Sequence, residues 1–146
     1  MAAYAKMKRM NNPFSKTILT NMCMLYKDEG SFLVQNRAKQ DWPGINFPGG
    51  HVERFESLEE SVVREMKEET GLLVRDLKQC GVYEWNLPQE GIRHLAILYR
   101  SKSFSGTVHS SKEGEIFFIR EKDLPSYPLS TDFKELLRIM KKGLSF

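Results

Sequence analysis

Runs of apolar residues along the chain predict where its strands lie. Residues 17–26 are rich in β-branched and apolar side chains, which is typical of a strand, and residues 32–37 predict a second one. Residues 27–30 have the composition of a turn, so we expect these two strands to form a hairpin. Two prolines and three glycines in residues 38–50 predict an irregular loop.

Two helices are predicted by their end signals and by their apolar spacing. Ser57 and Glu60 fit a capping box at a helix N-terminus, and Gly71 stands where a C-terminal glycine is expected. In residues 131–142, which end before Gly143, apolar side chains recur at i, i+3, i+4 and i+7. One face of this second helix should therefore pack on a core.

Further strands are predicted at residues 77–85, 92–103 and 115–120, the first two flanking a turn at residues 88–91. Strands interleaved with two helices indicate a mixed α/β domain.

Composition narrows the class of protein. A chain of 146 residues with 40% hydrophobic and 28% charged side chains suits one globular domain, with residues 1–16 as a poorly ordered or edge segment. A net charge of +3 is too small to indicate nucleic-acid binding, and no apolar run is long enough to span a membrane. With two widely spaced cysteines and no signal peptide, we expect a cytoplasmic protein.

The first helix is unusually acidic. Residues 50–70 hold seven acids against three bases, and Glu65, Glu68 and Glu69 fall on one arc of the helix. Like charges three and four residues apart repel, and acids in the last turn oppose the helix dipole. A divalent cation such as Mg²⁺, which prefers oxygen ligands, would offset both effects. A solvated acidic face is the alternative.

The spacing of these residues resembles a complete Nudix box. Gly50, Glu56, Arg64-Glu65-Met66, Glu68-Glu69 and Gly71-Leu72 match it in order. The resemblance implies a Nudix-type α/β/α sandwich around a mixed sheet. It also implies Mg²⁺-dependent hydrolysis of a nucleoside diphosphate linked to another group, with Mn²⁺ as a possible substitute.

The resemblance assigns metal-binding and catalytic roles. It implies that Glu65, Glu68 and Glu69 bind metal, with the Gly49 carbonyl as a further ligand. Arg64 would orient these acids, and Glu56 would support the loop or bind a second metal through water. The catalytic base is not fixed by the box. Glu113 resembles a Lys-Glu-Gly glutamate of the MutT-like branch, so it is the first candidate for base or additional ligand, ahead of Glu115. Exposed loop acids are the alternative.

Several positions resemble substrate-binding positions of the MutT-like branch. Members of that branch act on oxidised purine nucleotides such as 8-oxo-dGTP. The candidate positions are Arg37 and Arg93 for phosphate, Asn46 and Asp132 for the base, and Gly50 for close backbone approach. Each has a plainer interpretation. The arginines suit exposed strand ends, Asn46 suits a turn, and Asp132 suits a helix N-cap. Members of the MutT-like branch often have lysine directly after the paired glycines. This chain has His51 at that position, and we expect its side chain to face solvent.

The predicted reaction is hydrolysis of a nucleoside triphosphate to a nucleoside monophosphate and pyrophosphate. The predicted partner is therefore a small nucleotide, and the oligomeric state is left open. A pyrophosphatase acting on ADP-ribose or another sugar nucleotide is one alternative. A nucleotide-sensing module without catalysis is the other, although such a module would be expected to lose acids from the box.

Overall fold

The computed structural model describes residues 14–38 and 43–146. The prediction for residues 1–16 therefore falls almost entirely outside the described residues, as do positions 39–42 of the predicted loop. Nine strands and two α-helices are described, with short 3-10 turns at Pro88–Glu90 and Glu121–Ser126. The strands are β1 (Lys16–Leu25), β2 (Ser31–Arg37), β3 (Gly44–Asn46), β4 (Gly49–His51), β5 (Leu73–Arg75), β6 (Lys78–Leu87), β7 (Ile92–Ser101), β8 (Ser103–Ser105) and β9 (Gly114–Arg120). The helices are α1 (Leu58–Thr70) and α2 (Phe133–Met140).

The strands form a mixed arrangement. One sheet has the order β4-β1-β7-β6, in which β1 and β7 are parallel and the other pairs are antiparallel. A second sheet has the order β3-β2-β9, and β5 pairs with β8. The predicted α/β class with a mixed sheet is confirmed.

The helices cover opposite faces of these strands because side chains alternate along a strand. Met22 and Met24 of β1 pack in a core cluster with residues of α2. Cys23 and Leu25, which point the other way, pack in a second cluster with residues of α1. Strand β1 is thus buried on both faces, which explains its continuous apolar run.

The predicted hairpin of the first two strands is wrong. Tyr26 and Phe32 form one isolated bridge beside the turn, but β1 and β2 then diverge into different sheets. A strand has only two edges for pairing. Those of β1 are taken by β4 and β7, and those of β2 by β3 and β9. The predicted irregular loop also contains two short strands, β3 and β4.

The predicted ends of the first helix are confirmed. Ser57 and Glu60 form both hydrogen bonds of the capping box, and Gly71 ends the helix with a left-handed φ of 80°. The second helix is shorter than predicted and begins at Phe133. No helix in the described ranges is both long and apolar enough to cross a bilayer.

Candidate active site on the acidic helix

Arg64 joins the acidic helix to the loop that precedes it. Its Nε and Nη2 atoms donate to the two carboxylate oxygens of Glu56 at 3.0 and 2.7 Å. Nη1 donates to Glu65 at 2.9 Å and to Glu68 at 3.2 Å, while Nη2 also reaches the His51 carbonyl at 2.9 Å. The bidentate pair lowers the pKa of Glu56 to about 2 and raises that of Arg64. The Arg64 guanidinium therefore holds Glu56, Glu65 and Glu68 by hydrogen bonds and links them to the His51 carbonyl of β4.

The Glu65 carboxylate lies directly against the backbone of Gly50. A Cβ atom at Gly50 would stand 2.2 Å from the Glu65 carboxyl carbon, so only glycine leaves room for this contact. Burial raises the pKa of Glu65, although the hydrogen bond from Arg64 opposes that shift. Gly50 was predicted to allow close approach of the backbone to a ligand. In the structure its backbone is in close contact with the Glu65 side chain.

Asn21 holds the glycine strand and the helix together from inside the core. Its Oδ1 accepts a hydrogen bond from the Gly50 N–H at 3.3 Å, and its Nδ2 donates to Ser61 Oγ at 2.8 Å. Asn21 is only 2% exposed, so losing either partner would leave a buried polar group unsatisfied. This side chain sets the distance between β4 and α1.

Glu69 faces the other side of the helix end, toward β2 and the loop before β9. Gln35 Nε2 donates to its Oε2 at 3.0 Å, and the Ser111 hydroxyl lies at 3.5 Å. Burial raises the pKa of Glu69, and the charge of Glu113 raises it further against the opposing hydrogen bond from Gln35. Of the two candidate bases, Glu113 thus contributes to the electrostatics of Glu69, and the catalytic role of either residue stays a prediction.

A cavity of about 610 Å³ opens beside this cluster, a volume that suits a small-molecule ligand. Four of the predicted substrate-binding residues line it: Arg37, Asn46, Gly50 and Asp132. His51, the last residue of β4, is exposed as expected and also lines the cavity. The cavity therefore runs from the glycine strand of the acidic site to the start of α2.

Arg93 does not line this cavity. It pairs with Asn86 across the β6–β7 ladder, and its guanidinium lies 3.4 Å from the Glu84 carboxylate. Because strand side chains alternate, the next residue, His94, faces the cavity instead. Arg93 thus lies on the opposite face of β7 from the cavity, because a one-residue step in a strand reverses the face, and its substrate-binding role stays a prediction.

Asp132 is not the helix cap that its position suggests. It precedes α2, but its side chain makes no capping hydrogen bond. Tyr83 Oη instead donates to Asp132 Oδ1 at 2.9 Å, and the carboxylate borders the cavity. The Asn46 side chain is also held by a hydrogen bond, because its Oδ1 accepts from the Phe47 N–H at 3.0 Å. Within the described ranges no acceptor is bonded to Asn46 Nδ2, which leaves the amide as a donor at the cavity.

Comparison with known protein families identifies the family of this chain. The profile of the NUDIX domain matches residues 17–138, which span α1, the glycine strand and the cavity. The chain belongs to the Nudix family. It is a Nudix hydrolase, and the mixed fold and the complete box agree with that assignment.

Individual relatives agree on the family but differ in their named substrates. An ADP-ribose pyrophosphatase of Methanocaldococcus jannaschii is 40% identical over 121 residues, 79% of this chain and 68% of that protein. YtkD of Bacillus subtilis, provisionally named an 8-oxo-dGTP diphosphatase, is 54% identical over 41 residues, 28% of this chain and 26% of that protein. The crystal structure of a MutT Nudix hydrolase from Burkholderia pseudomallei has a TM-score of 0.74 at 23% identity. It covers 84% of this chain and 97% of that one.

Nudix hydrolases generally use a divalent metal, and the residues of this chain fit such an ion. The available donors are all oxygen atoms, from Glu65, Glu68, Glu69 and Glu113, as a hard cation requires. Burial raises the pKa values of Glu65 and Glu69, so both carboxylates lie where a cation would relieve an unfavourable charge. Across residues 14–38 and 43–146, no three His, Cys, Asp or Glu side chains are already grouped as a metal site. Two of these donors, Glu65 and Glu68, are held by hydrogen bonds from Arg64.

Sequence reasoning missed the residues that support these acids. Asn21 and Gln35 are both buried polar side chains inside strands. That exception to the apolar pattern is a usable signal, because buried amides are normally hydrogen-bonded. Ser111 had no such signal, since its role depends on where the loop before β9 folds back.

Proposed function

We propose that this Nudix hydrolase converts a purine nucleoside triphosphate, including oxidised purines such as 8-oxo-dGTP, into a nucleoside monophosphate and pyrophosphate. Its role would be to remove damaged nucleoside triphosphates from the nucleotide pool. One observation carries the substrate class: the cavity beside the acidic helix is bordered by an amide donor on Asn46 and a carboxylate acceptor on Asp132. Two free thiols, Cys23 and Cys80, suit the reducing cytoplasm as its place of action.

The donor and the acceptor match the edge of a guanine. Guanine carries the O6 acceptor and the N2 amino donor, which pair with an amide N–H and a carboxylate, respectively. Asp132 is held by Tyr83, so its carboxylate is oriented before a ligand binds. A rigid donor–acceptor pair discriminates strongly, because the wrong base leaves a buried polar group unpaired.

The reacting phosphates would lie over Gly50, between the cavity and the helix acids. A bound Mg²⁺ would neutralise the diphosphate and lower the pKa of the attacking water. Glu113 is our candidate to accept the proton of that water, because its charge is already felt at Glu69. Arg64 would keep Glu65 and Glu68 in position, and Arg37, which lines the cavity, would contact phosphate.

A panel of substrates tests the reaction and the substrate together. Turnover of 8-oxo-dGTP, dGTP, dATP and ADP-ribose would be compared with Mg²⁺, with Mn²⁺ and with EDTA, and anion analysis would distinguish pyrophosphate from phosphate. We expect pyrophosphate from a guanine triphosphate and no turnover with EDTA. Glu68→Gln should abolish turnover, whereas Glu121→Gln, outside this site, should not. Equal rates for wild type and Glu68→Gln would contradict catalysis at this helix. Binding of nucleotide by the wild type without turnover of any substrate would favour a sensing module.

Base recognition is tested separately by Asp132→Asn. The amide keeps the shape but loses the anionic acceptor, so we expect kcat/KM for guanine triphosphates to fall about tenfold or more. Asp123→Asn, an acid on a 3-10 turn and not on the cavity, is the matched control. An unchanged ratio of guanine to adenine rates would refute the role of Asp132.

Hydrolysis of ADP-ribose is the second candidate, favoured by the 40% identity to the archaeal ADP-ribose pyrophosphatase. The same cavity could bind adenine, whose N6 amino group donates and whose ring nitrogen accepts. Higher kcat/KM for ADP-ribose than for every triphosphate in the panel would replace the first proposal with this one.

A further inference from the structure

His94 lies on the floor of the ligand cavity and stacks on an aromatic neighbour. It is directly opposite Trp85 in the β6–β7 ladder, and both side chains line the cavity. Their rings are parallel, with 3° between the planes and 5.1 Å between the centroids. Stacking of this kind fixes the orientation of the imidazole ring.

The two ring nitrogens of His94 have different surroundings. Nδ1 is buried, and no hydrogen-bond partner for it is found among the described residues. Nε2 also lacks a protein partner within those ranges, but it is not among their buried unpartnered atoms. The accessible nitrogen of this cavity-lining ring is therefore Nε2.

This difference selects one form of the imidazole. A proton on Nδ1 would bury an N–H group without an acceptor, which costs more than burying a lone pair. The favoured neutral form therefore carries its proton on Nε2. Protonation of both nitrogens is opposed for the same reason. Burial lowers the pKa of His94, and nearby His51 lowers it further, with a smaller opposing effect from Glu90.

We propose that His94 is a substrate-binding residue whose Nε2–H donates to a neutral acceptor oxygen on the nucleoside part of the ligand. The proposal rests on the proposed function only in requiring a nucleoside ligand in this cavity. A neutral oriented donor suits a carbonyl, hydroxyl or ring oxygen, whereas an anionic phosphate would favour a protonated histidine. The acceptor belongs either to the sugar or to the base.

Two substitutions separate the hydrogen bond from the stacking contact. His94→Phe keeps a flat ring against Trp85 but removes the donor, whereas His94→Gln places an amide N–H near the position of Nε2. Affinities for the α,β-methylene analogues of dGTP and GTP, and for inorganic tripolyphosphate, would be measured by calorimetry with Mg²⁺. Loss of one neutral hydrogen bond corresponds to about a 2- to 10-fold loss of affinity.

We expect His94→Phe to weaken both nucleotide analogues by that factor, to leave tripolyphosphate unchanged, and to be rescued by His94→Gln. A sugar acceptor would give different losses for dGTP and GTP analogues only if it is the 2′-hydroxyl. A larger loss with the 8-oxo-dGTP analogue than with the dGTP analogue would identify the O8 oxygen of the base as the acceptor. Equal weakening of tripolyphosphate, or no weakening of any analogue, would overturn the proposal.

Nitrogen-15 NMR of the wild-type imidazole supplies a test that needs no variant. The shifts should report the Nε2–H form near neutral pH, and the nucleotide analogue, but not tripolyphosphate, should move the Nε2 signal. The Nδ1–H form, or no response to nucleotide, would refute the inference. If the enzyme prefers ADP-ribose, the triphosphate proposal fails, and the same variants measured with ADP-ribose still decide the role of His94. Failure of the wild type to bind any nucleoside ligand would overturn both the proposed function and the role of His94.

Discussion

Gly49 and Gly50 are adjacent in β4, but a methyl group added to each would meet very different obstacles. At Gly50 the new Cβ would lie 2.2 to 2.5 Å from the carboxyl atoms of Glu65, which form the end of a side chain. At Gly49 it would lie 2.0 Å from the Asn21 carbonyl oxygen, which belongs to the backbone of β1. We therefore expect Gly50→Ala to damage activity and Gly49→Ala to damage stability.

The size of each effect follows from these contacts. Ordinary contact begins near 3.4 Å, so the Glu65 carboxylate must move by roughly 1 Å in Gly50→Ala. A displacement of that size at a reacting centre costs about 100-fold in rate. Since Glu65 can rotate, the free energy of unfolding should change by less than about 1 kcal/mol. In Gly49→Ala two backbones must separate, which we expect to cost about 3 kcal/mol and to lower Tm by roughly 6–12 °C.

Steady-state release of pyrophosphate with Mg²⁺ and thermal unfolding by circular dichroism would measure both quantities on the same preparations. The two variants serve as controls for each other, because each adds one methyl group to the same short strand. Wild-type kcat in Gly50→Ala would refute the requirement for Glu65 at its observed position. A Tm loss in Gly50→Ala as large as that in Gly49→Ala would show that the strand, and not the carboxylate, is what the glycine protects.

Three further predictions concern charge and backbone strain. The pKa of Glu56 is lowered from 4.5 to about 2 by Arg64, so that pair stabilises the fold above pH 4.5 and its contribution is lost as the pH falls toward 2. The Tm difference between wild type and Arg64→Gln should shrink over that range, and a constant difference would refute it. Burial raises the pKa of Glu69, so its charge destabilises the metal-free protein at neutral pH. Glu69→Gln should raise Tm in EDTA at pH 7, lose that gain below pH 4.5, and abolish turnover. Phe55 has a left-handed φ of 69° and is 94% exposed, so Phe55→Gly should stabilise the protein by about 0.5–1 kcal/mol, whereas an unchanged or lower Tm would show a contact that offsets the strain.

The acidic helix was the part of the fold most accessible to prediction. Its capping box, its terminal glycine and the arc of Glu65, Glu68 and Glu69 depend on contacts between residues a few positions apart. Such local rules can be read from spacing alone. The mutual placement of these acids and Arg64 was partly predictable for the same reason, because an i, i+4 pair such as Arg64 and Glu68 lies on one helix face.

The pairing of strands was much less accessible. Residues 17–26 and 32–37 were correctly predicted as strands, but their partners were not, because every apolar strand can pair along either edge. In the structure β1 has β4 and β7 as neighbours, a pairing between segments that are distant in the sequence. Local spacing also does not show which face of β7 lines the cavity, and the structure places His94 there and Arg93 on the other face.

The sequence by itself determined the chemistry that the molecule has available: a short helix crowded with glutamates, an adjoining pair of glycines, and the family to which both belong. Tertiary structure alone decided which distant residues surround that chemistry. It brought Asn21 to the Gly50 N–H, placed Gln35 against Glu69, and oriented Asp132 toward Tyr83 and the cavity. These contacts join residues that are far apart in the chain, and no local spacing encodes them, because they exist only after both layers of the core have packed.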